Sequence, residues 1–254
     1  MDKKEKLIEL EKRYQDLLAR WPAHSVKPEM VIEKEELEDE IAELKKELAQ
    51  LQTHVFNPNN RHKLKSERRK KVLPPMDTLA KLPIQPGDII LDYGAGIGYF
   101  AIPLARKTGN SGMVYAVDIS EEIIEDLEKE VLQEGLTNVK ASLVTGDGTL
   151  PQDFPLFDVI FLATVFHELP DKTTVLTNLK KKLKTGGKLI IIDWEKKETE
   201  YGPPVSHRVS VEEGLALLED IGLANLSKIE VNEALWGIIG IKQEEEEIEN
   251  GFKV

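Results

Sequence analysis

Leu91-Asp92-Tyr93-Gly94-Ala95-Gly96-Ile97-Gly98-Tyr99-Phe100 is the stretch on which the fold of this chain turns. An apolar, β-rich run over residues 89–91 feeds straight into three glycines, and an amphipathic helical stretch follows over 100–107. Glycine lets a strand turn sharply into a helix, and its missing side chain lets a ligand come close to the backbone. In open α/β sheets, ligands sit at the carboxyl ends of such strands. A bare strand–helix turn would use the same glycines, so the loop gains meaning only from what lies downstream. A dinucleotide fingerprint requires Gly-x-Gly-x-x-Gly or Ala. Here the last position is the bulky Tyr99, so the loop suits a ligand without a pyrophosphate.

Further apolar runs lie at 114–117, 139–144, 159–163 and 189–192, with amphipathic stretches at 121–133, 172–183 and 211–221 between or after them. This βαβ rhythm predicts a parallel sheet covered on both faces, and right-handed crossovers make it a doubly wound α/β fold. The last two β runs, 226–231 and 236–241, are separated by only four residues. No crossover helix fits there, so the pair is predicted to be an antiparallel hairpin. The second strand ends at Asp118, twenty residues after Gly98. A carboxylate so placed can accept hydrogen bonds from both hydroxyls of a ribose. The competing reading is a helix start, but Ser120 is the better cap there, although Ile123 rather than Glu stands three residues on. The third strand ends at Thr145-Gly146-Asp147-Gly148, where Asp147 could reach a base edge or simply make a turn. The fourth ends at Thr164-Val165-Phe166-His167-Glu168, and Thr164 belongs to the same ligand side.

Residues 1–56 are of another kind. They contain no glycine, and apolar residues recur in steps of three and four at Leu7, Leu10, Tyr14, Leu17 and Trp21, then at Leu37, Ile41, Leu44, Leu48, Leu51 and Val55. Two such stripes around Pro22 and Pro28 predict a helical coiled-coil hairpin with a shorter first arm, folding on itself or docking a homodimer mate or partner protein. The acidic cluster from Glu33 to Glu40 reads as a solvated face. After the break at Asn57-Pro58-Asn59-Asn60, a basic run from Arg61 to Lys71 lacks interleaved aromatics and reads as a helix start leaning on acidic neighbours, not a nucleic-acid patch. The expected division is a hairpin over 1–56, an α/β domain over 57–242, and a disordered acidic tail over 243–254.

The 254 residues carry a net charge of −12, 41% hydrophobic and 31% charged residues, and no cysteine. The apolar share is enough for a core. The acidity disfavours general binding of nucleic acid or anionic membrane. The missing cysteines exclude disulfides, thiolate metal sites and a cysteine nucleophile, and no metal is expected. No apolar run is long enough to span a membrane and no leader pattern opens the chain, so a cytoplasmic protein is the expectation.

Taken in order, Leu91 to Gly98, Asp118, Gly146-Asp147, Phe157-Asp158-Val159-Ile160 and Leu183-Lys184-Thr185-Gly186-Gly187-Lys188-Leu189 resemble the class I S-adenosylmethionine-dependent methyltransferases, with Thr185 where that family usually carries Pro. The resemblance spans roughly residues 62 to 242 and leaves the helical arm outside. It implies a seven-stranded, mostly parallel sheet of order 3-2-1-4-5-7-6 and S-adenosyl-L-methionine as cofactor. By the same resemblance, Asp92 with Gly94, Ala95, Gly96 and Gly98 holds the methionine part. Asp118 holds the ribose, Ile119 flanks the adenine, and Gly146 and Asp147 meet its amino edge, with Thr164 completing the cofactor side.

A sulfonium methyl is already activated, so the protein mainly aligns a nucleophile with it, an effect reaching ~7–11 kcal/mol in well-oriented cases. A general base is needed only when the nucleophile must lose a proton. The candidates are His167, His207 and Arg208, the last two after the Tyr201-Gly202-Pro203-Pro204 loop, with Glu168 and Asp193 behind them. Each has a plainer reading: a packed histidine, a helix-start acid, a strand end, an arginine paired with a surface acid. The expected reaction is methyl transfer to a small molecule, without an arsenite acceptor. RNA or protein methylation gripped by the basic segment or the arm is one alternative. A cofactor-sensing interaction protein that docks partners through the hairpin is another.

Overall fold

The computed structural model describes residues 3–22, 27–52 and 66–244. The chain divides into two compact units, Met1–Val55 and Phe56–Val254. The expected acidic tail from residue 245 on, and residues 61–65 of the basic run, lie outside the described residues.

The first unit is a pair of helices, α1 (Lys3–Ala19) and α2 (Pro28–Gln52). Leu10 and Leu17 of α1 bury against Leu37 and Leu44 of α2, with Leu7, Tyr14, Trp21, Met30 and Ile41 partly covered around them. As far as Leu44, the two apolar stripes thus meet within one chain. At the edge of the stripe Tyr14 donates to Glu38, and Lys6 lies 2.7 Å from Glu40. Both contacts are largely exposed ion or polar pairs of small worth, so the leucines hold the unit together.

The second unit opens with two short helices, α3 (Glu67–Val72) and α4 (Pro75–Ala80), and continues as β1 (Ile89–Tyr93), α5 (Ala101–Thr108), β2 (Met113–Asp118), α6 (Glu121–Gln133), β3 (Val139–Leu143), β4 (Phe157–Ala163), α7 (Lys172–Lys181), β5 (Leu183–Trp194), α8 (Val211–Asp220), β6 (Ala224–Asn232) and β7 (Leu235–Ile241). Together they make the expected sheet of order β3-β2-β1-β4-β5-β7-β6. The first five strands run parallel, and β7 pairs antiparallel with both β5 and β6. Successive side chains of a strand point to opposite faces. Ile190 and Ile192 enter one core with Ile90, Leu104 and Phe161, while Leu189 and Ile191 enter the other with Leu91, Ile160 and Leu176. Each such side chain contributes about 1.5–3 kcal/mol on burial, so one strand glues both layers at once.

Strand β5 starts six residues earlier than its apolar run indicated. Phe157 pairs with Leu183, the register shifts before Val159, and Gly186 at φ +77 carries the backbone round. Caps set the helix starts. Ser120 accepts from Ile123 N at α6, Asp171 from Thr174 N at α7, and Ser210 and Glu213 form a reciprocal capping box at α8.

Candidate functional site

The carboxyl ends of the parallel strands assemble the site. After β1 the chain turns through Gly94, Gly96 and Gly98, all at positive φ (77, 54 and 87°). The amides of Gly94 and Ala95 both donate to the Val117 carbonyl, which ties the turn to the end of β2. A Cβ on Gly94 would lie 2.5 Å from Val165 Cγ2, and one on Gly98 2.8 Å from Leu127 Cδ1. At these two positions the missing side chain serves the turn and its close packing against the protein itself.

Asp118, at the end of β2, accepts from Gly96 N at 3.0 Å through one oxygen and from Ser120 N at 3.2 Å through the other. The competing reading, a helix cap, falls to Ser120. A carboxylate offers about four acceptor positions, so capacity remains for two hydroxyl donors. Burial raises the Asp118 pKa, and the amides of Gly96 and Ser120 oppose the rise. Next to it Ile119 is exposed, and its methyl lies 2.9 Å from where a Cβ on Gly146 would stand. The missing side chain therefore lets Ile119 lean over the end of β3. The Asp147 carboxylate closes its own turn, accepting from Thr145 Oγ1 (2.7 Å), Thr149 N (2.9 Å) and Thr149 Oγ1 (3.0 Å). The plain turn reading accounts for these contacts, which hold Asp147 below the usual carboxylate range despite some burial.

Asp92 is the most telling group. It is 2% exposed, and its Oδ2 is one of two buried side-chain polar atoms without a hydrogen-bond partner among the described residues. Burial, reinforced by the nearby Asp118 charge, pushes its pKa up to about 7 against the pull of Arg69. Natural proteins rarely leave such an oxygen orphaned except where a ligand completes it. A buried acid beside a second acid, under a glycine turn, fits the cationic amino end and ribose of S-adenosylmethionine and offers a pyrophosphate only repulsion.

The other orphaned atom is Arg69 Nε, a group the sequence reading left among surface basics. Arg69 reaches from α3 to the end of β4, donating through Nη2 to Thr164 Oγ1 at 3.0 Å, and its guanidinium sits 4.7 Å over the Tyr99 ring. Tyr99 in turn donates to the Leu73 carbonyl at 2.7 Å. Thr164 itself is at φ +58, a strained conformation for a β-branched residue. A basic residue amid six others in the sequence gives no local signal of such a role.

At the ends of β4 and β5, His167 and Asp193 meet. His167 Nδ1 lies 2.8 and 3.1 Å from the two Asp193 oxygens, and the His167 amide donates to Asp193 at 2.9 Å. On the far side, Nε2 is 3.5 Å from Glu168 Oε1. Burial alone would lower the His167 pKa, but the Asp193 charge and hydrogen bond, with Glu168, outweigh it and raise it to about 9. The pair is thus an imidazolium between two carboxylates, with the histidine side chain 7% exposed. His207 lies in a 3-10 turn, Val205–His207, of the loop after β5, and its amide donates to the Pro204 carbonyl at 2.9 Å.

Arg208 departs from its expected role. It is 4% exposed, and Nε donates to Pro203 O (2.8 Å), Nη1 to Glu195 O (3.0 Å) and Lys197 O (2.7 Å), and Nη2 to Tyr201 O (3.1 Å). Four of the five guanidinium N–H donors are spent on the main chain. The geometry makes Arg208 the clip that folds the loop, not a ligand for substrate carboxylate or phosphate. Among the described residues, no group of three or more His, Cys, Asp or Glu could hold a metal ion, and no helix is long and apolar enough to cross a membrane.

A methyltransferase domain family matches residues 84–250. The crystal structure of a SAM-dependent methyltransferase from Aquifex aeolicus is 31% identical, with a TM-score of 0.70 over 74% of this chain and 99% of that one. The demethylmenaquinone methyltransferase of Geobacillus sp. (strain WCH70) is 31% identical over 118 residues, 46% of this chain and 50% of the relative. The protein-L-isoaspartate O-methyltransferase of Methanococcus aeolicus is 34% identical over 110 residues, 43% of this chain and 47% of the relative. The chain spans about half the length of these curated relatives. The family match covers about two thirds of the chain and the Aquifex aeolicus structure nearly three quarters of it, and the chain belongs to the S-adenosylmethionine-dependent methyltransferase family.

Proposed function

We propose that this protein transfers a methyl group from S-adenosylmethionine to a small organic acceptor. The observation that carries the reading is the pair of strand-end acids, Asp92 with an orphaned buried oxygen and Asp118 braced by the Gly96 amide. In this reading Asp92 and the turn from Gly94 through Ala95 and Gly96 to Gly98 hold the amino-acid part. Asp118 takes the ribose hydroxyls, and Ile119, Gly146 and Asp147 border the adenine, with Thr164 closing the side of β4. When bound, the cofactor supplies a methyl already activated by its sulfonium.

The chain's own residues then orient the acceptor and exclude water. His167, held cationic by Asp193, donates a hydrogen bond at neutral pH and cannot accept a proton there. Both its ring nitrogens face carboxylates, so it fixes Asp193 and Glu168 at the ends of β4 and β5 and supplies no base of its own. His207, on the loop that Arg208 clips, is the second acceptor-side group. A small acceptor agrees with the demethylmenaquinone methyltransferases among the relatives. The acidic chain argues against an RNA substrate.

Calorimetry with S-adenosylhomocysteine and NADH, followed by turnover on demethylated quinols, other phenols, carboxylic acids and an isoaspartyl peptide, tests the reading. Binding of the homocysteine compound alone and methylation of a small organic acceptor are expected. Binding of NADH would remove the cofactor assignment. Binding without turnover on any acceptor would favour a cofactor-sensing protein, and turnover on the peptide alone a protein methyltransferase.

A further inference from the structure

We propose that Glu168 is the acceptor-side carboxylate of the crevice and receives the proton of the hydroxyl or amine that takes up the methyl group. This rests on the reading that the crevice holds S-adenosylmethionine. The residues leading to Glu168 line the crevice. Val165 packs against the glycine turn so closely that a Cβ on Gly94 would lie 2.5 Å from its Cγ2. Thr164 meets Arg69 at 3.0 Å. The chain then coils into the 3-10 turn Phe166–Glu168, where the Glu168 amide donates to Val165 O at 2.9 Å. The turn thus stands at the end of β4, beside the end of β1. The Glu168 side chain is 21% exposed, mostly covered yet open to a ligand. Its charge is felt across the crevice. Behind burial, it helps to raise the Asp118 pKa at the end of β2, and with Tyr99 it supports the charge on Arg69 against that group's burial.

The surrounding charges decide what kind of acceptor fits. His167 sets one positive charge between two carboxylates, with Asp193 2.8 Å from Nδ1 and Glu168 3.5 Å from Nε2. Arg69 adds a second cation and Asp118 a third acid, so negative charge stays in excess. Such a site repels a carboxylate or phosphate acceptor and attracts a group that brings a proton. Asp193 is committed to the fold: it is 1% exposed and also accepts from the His167 and Trp194 amides at 2.9 and 2.7 Å. Glu168 is the more open of the two. A carboxylate offers about four acceptor positions, and the one approach from His167 does not exhaust them. In the transfer, the acceptor's lone pair forms the bond to the methyl carbon, the carbon–sulfur pair stays on sulfur, and the acceptor's proton passes to Glu168 and on to water. The excess negative charge is answered by the sulfonium before the transfer and by the proton on Glu168 after it.

Sinefungin tests the assignment whatever the acceptor is. It has a carbon in place of the sulfur of S-adenosylhomocysteine and carries on it an amine where S-adenosylmethionine carries the methyl. Calorimetry on the full chain at neutral pH is expected to show sinefungin binding at least about tenfold more tightly than S-adenosylhomocysteine, the worth of one charge-assisted hydrogen bond. In Glu168→Gln that ratio should fall to within about twofold, with S-adenosylhomocysteine bound as in the wild type. A wild type that binds both compounds alike, or a Glu168→Gln protein that keeps the full preference, would overturn the proposal and leave the cofactor reading intact. So would a variant that loses both ligands in equal proportion, the result expected if Glu168 only steadied His167. A wild type that binds neither would remove the cofactor reading itself, and this proposal with it. Should Glu168→Gln fail to fold, the wild-type ratio and Glu168→Asp, with an expected preference between the two, still decide.

Discussion

The helical hairpin and the sheet domain bury apolar residues in different geometries. In the hairpin a single stripe on α1 meets a single stripe on α2, and among the described residues Leu10, Leu17, Leu37 and Leu44 are buried. In the domain every central strand feeds two cores, one on each face of the sheet. A two-helix unit has no second layer to share the loss of a side chain, so it sits near the lower limit of independent stability. The domain carries at its site a buried acid, a strained threonine and, among the described residues, two orphaned polar atoms. The lesson is that the helical pair spends its apolar residues on existing at all, whereas the domain can keep unfavourable groups in place for a ligand.

That contrast can be broken most directly through the cores. Phe161→Ala in the domain and Leu37→Ala in the hairpin should each cost about 3–5 and 2–5 kcal/mol respectively. Thermal unfolding followed by hydrogen exchange should show Phe161→Ala lowering the protection of the sheet. Leu37→Ala should release α1 and α2 alone. A single transition in which both mutants lower all protection together would mean that the two regions are one cooperative body.

The stored strain comes next. The raised Asp92 pKa means that the folded protein carries no penalty for this group below the ordinary carboxylate pKa, with a cost growing from there to about pH 7 and constant above it. Asp92→Asn should therefore raise the melting temperature at pH 8, by up to about 4 kcal/mol of stability, and the gain should vanish near pH 4. The same substitution should weaken binding of S-adenosylhomocysteine in calorimetry. A variant less stable than wild type at pH 8 would show that Asp92 supports the empty fold.

His167 has the opposite sign. Its raised pKa stabilises the fold fully below the ordinary histidine pKa, and the contribution is lost as pH rises through about 9. Denaturant titrations between pH 6 and 10 should show the wild type losing on the order of 3 kcal/mol more than His167→Asn. Parallel curves for the two proteins would place the imidazole outside the field of Asp193.

Smaller effects sharpen the contrast at the level of ligands. Asp118→Ala should weaken cofactor binding at least about tenfold, from the lost pair of hydrogen bonds to the ribose. Unchanged affinity in calorimetry would end the ribose assignment. Removing residues 1–55 should leave that affinity unaltered within about twofold, because every proposed cofactor contact lies in the second unit. The same truncation, followed by sedimentation, tests the hairpin as an association arm: unchanged mass per particle refutes it.

Much of this architecture is legible in the sequence. The βαβ rhythm, the short connection between the last two strands and the glycine triplet are local patterns, and they yielded the doubly wound sheet with its antiparallel end. Asp118 was readable because strand end and helix start fix its position within a few residues. Strand β5 was underread at its start, since a register shift opposite Phe157 has no periodic signature. The main-chain contacts of Arg208 have no signal in the sequence, because an exposed and an inward-turned arginine look alike there. Its partners are carbonyls of a loop without periodicity.

The order of the residues alone determined the layers, the strand-to-helix turn and the acid that follows it, because alternation and glycine freedom act over a few residues. The tertiary structure decided which groups would meet. His167 and Asp193 are 26 residues apart, and Arg69 and Thr164 are 95 apart. Pairings at that range depend on how the parallel strands bring their ends together, and a neighbour supplied by the fold leaves no mark on the residues beside it in the chain.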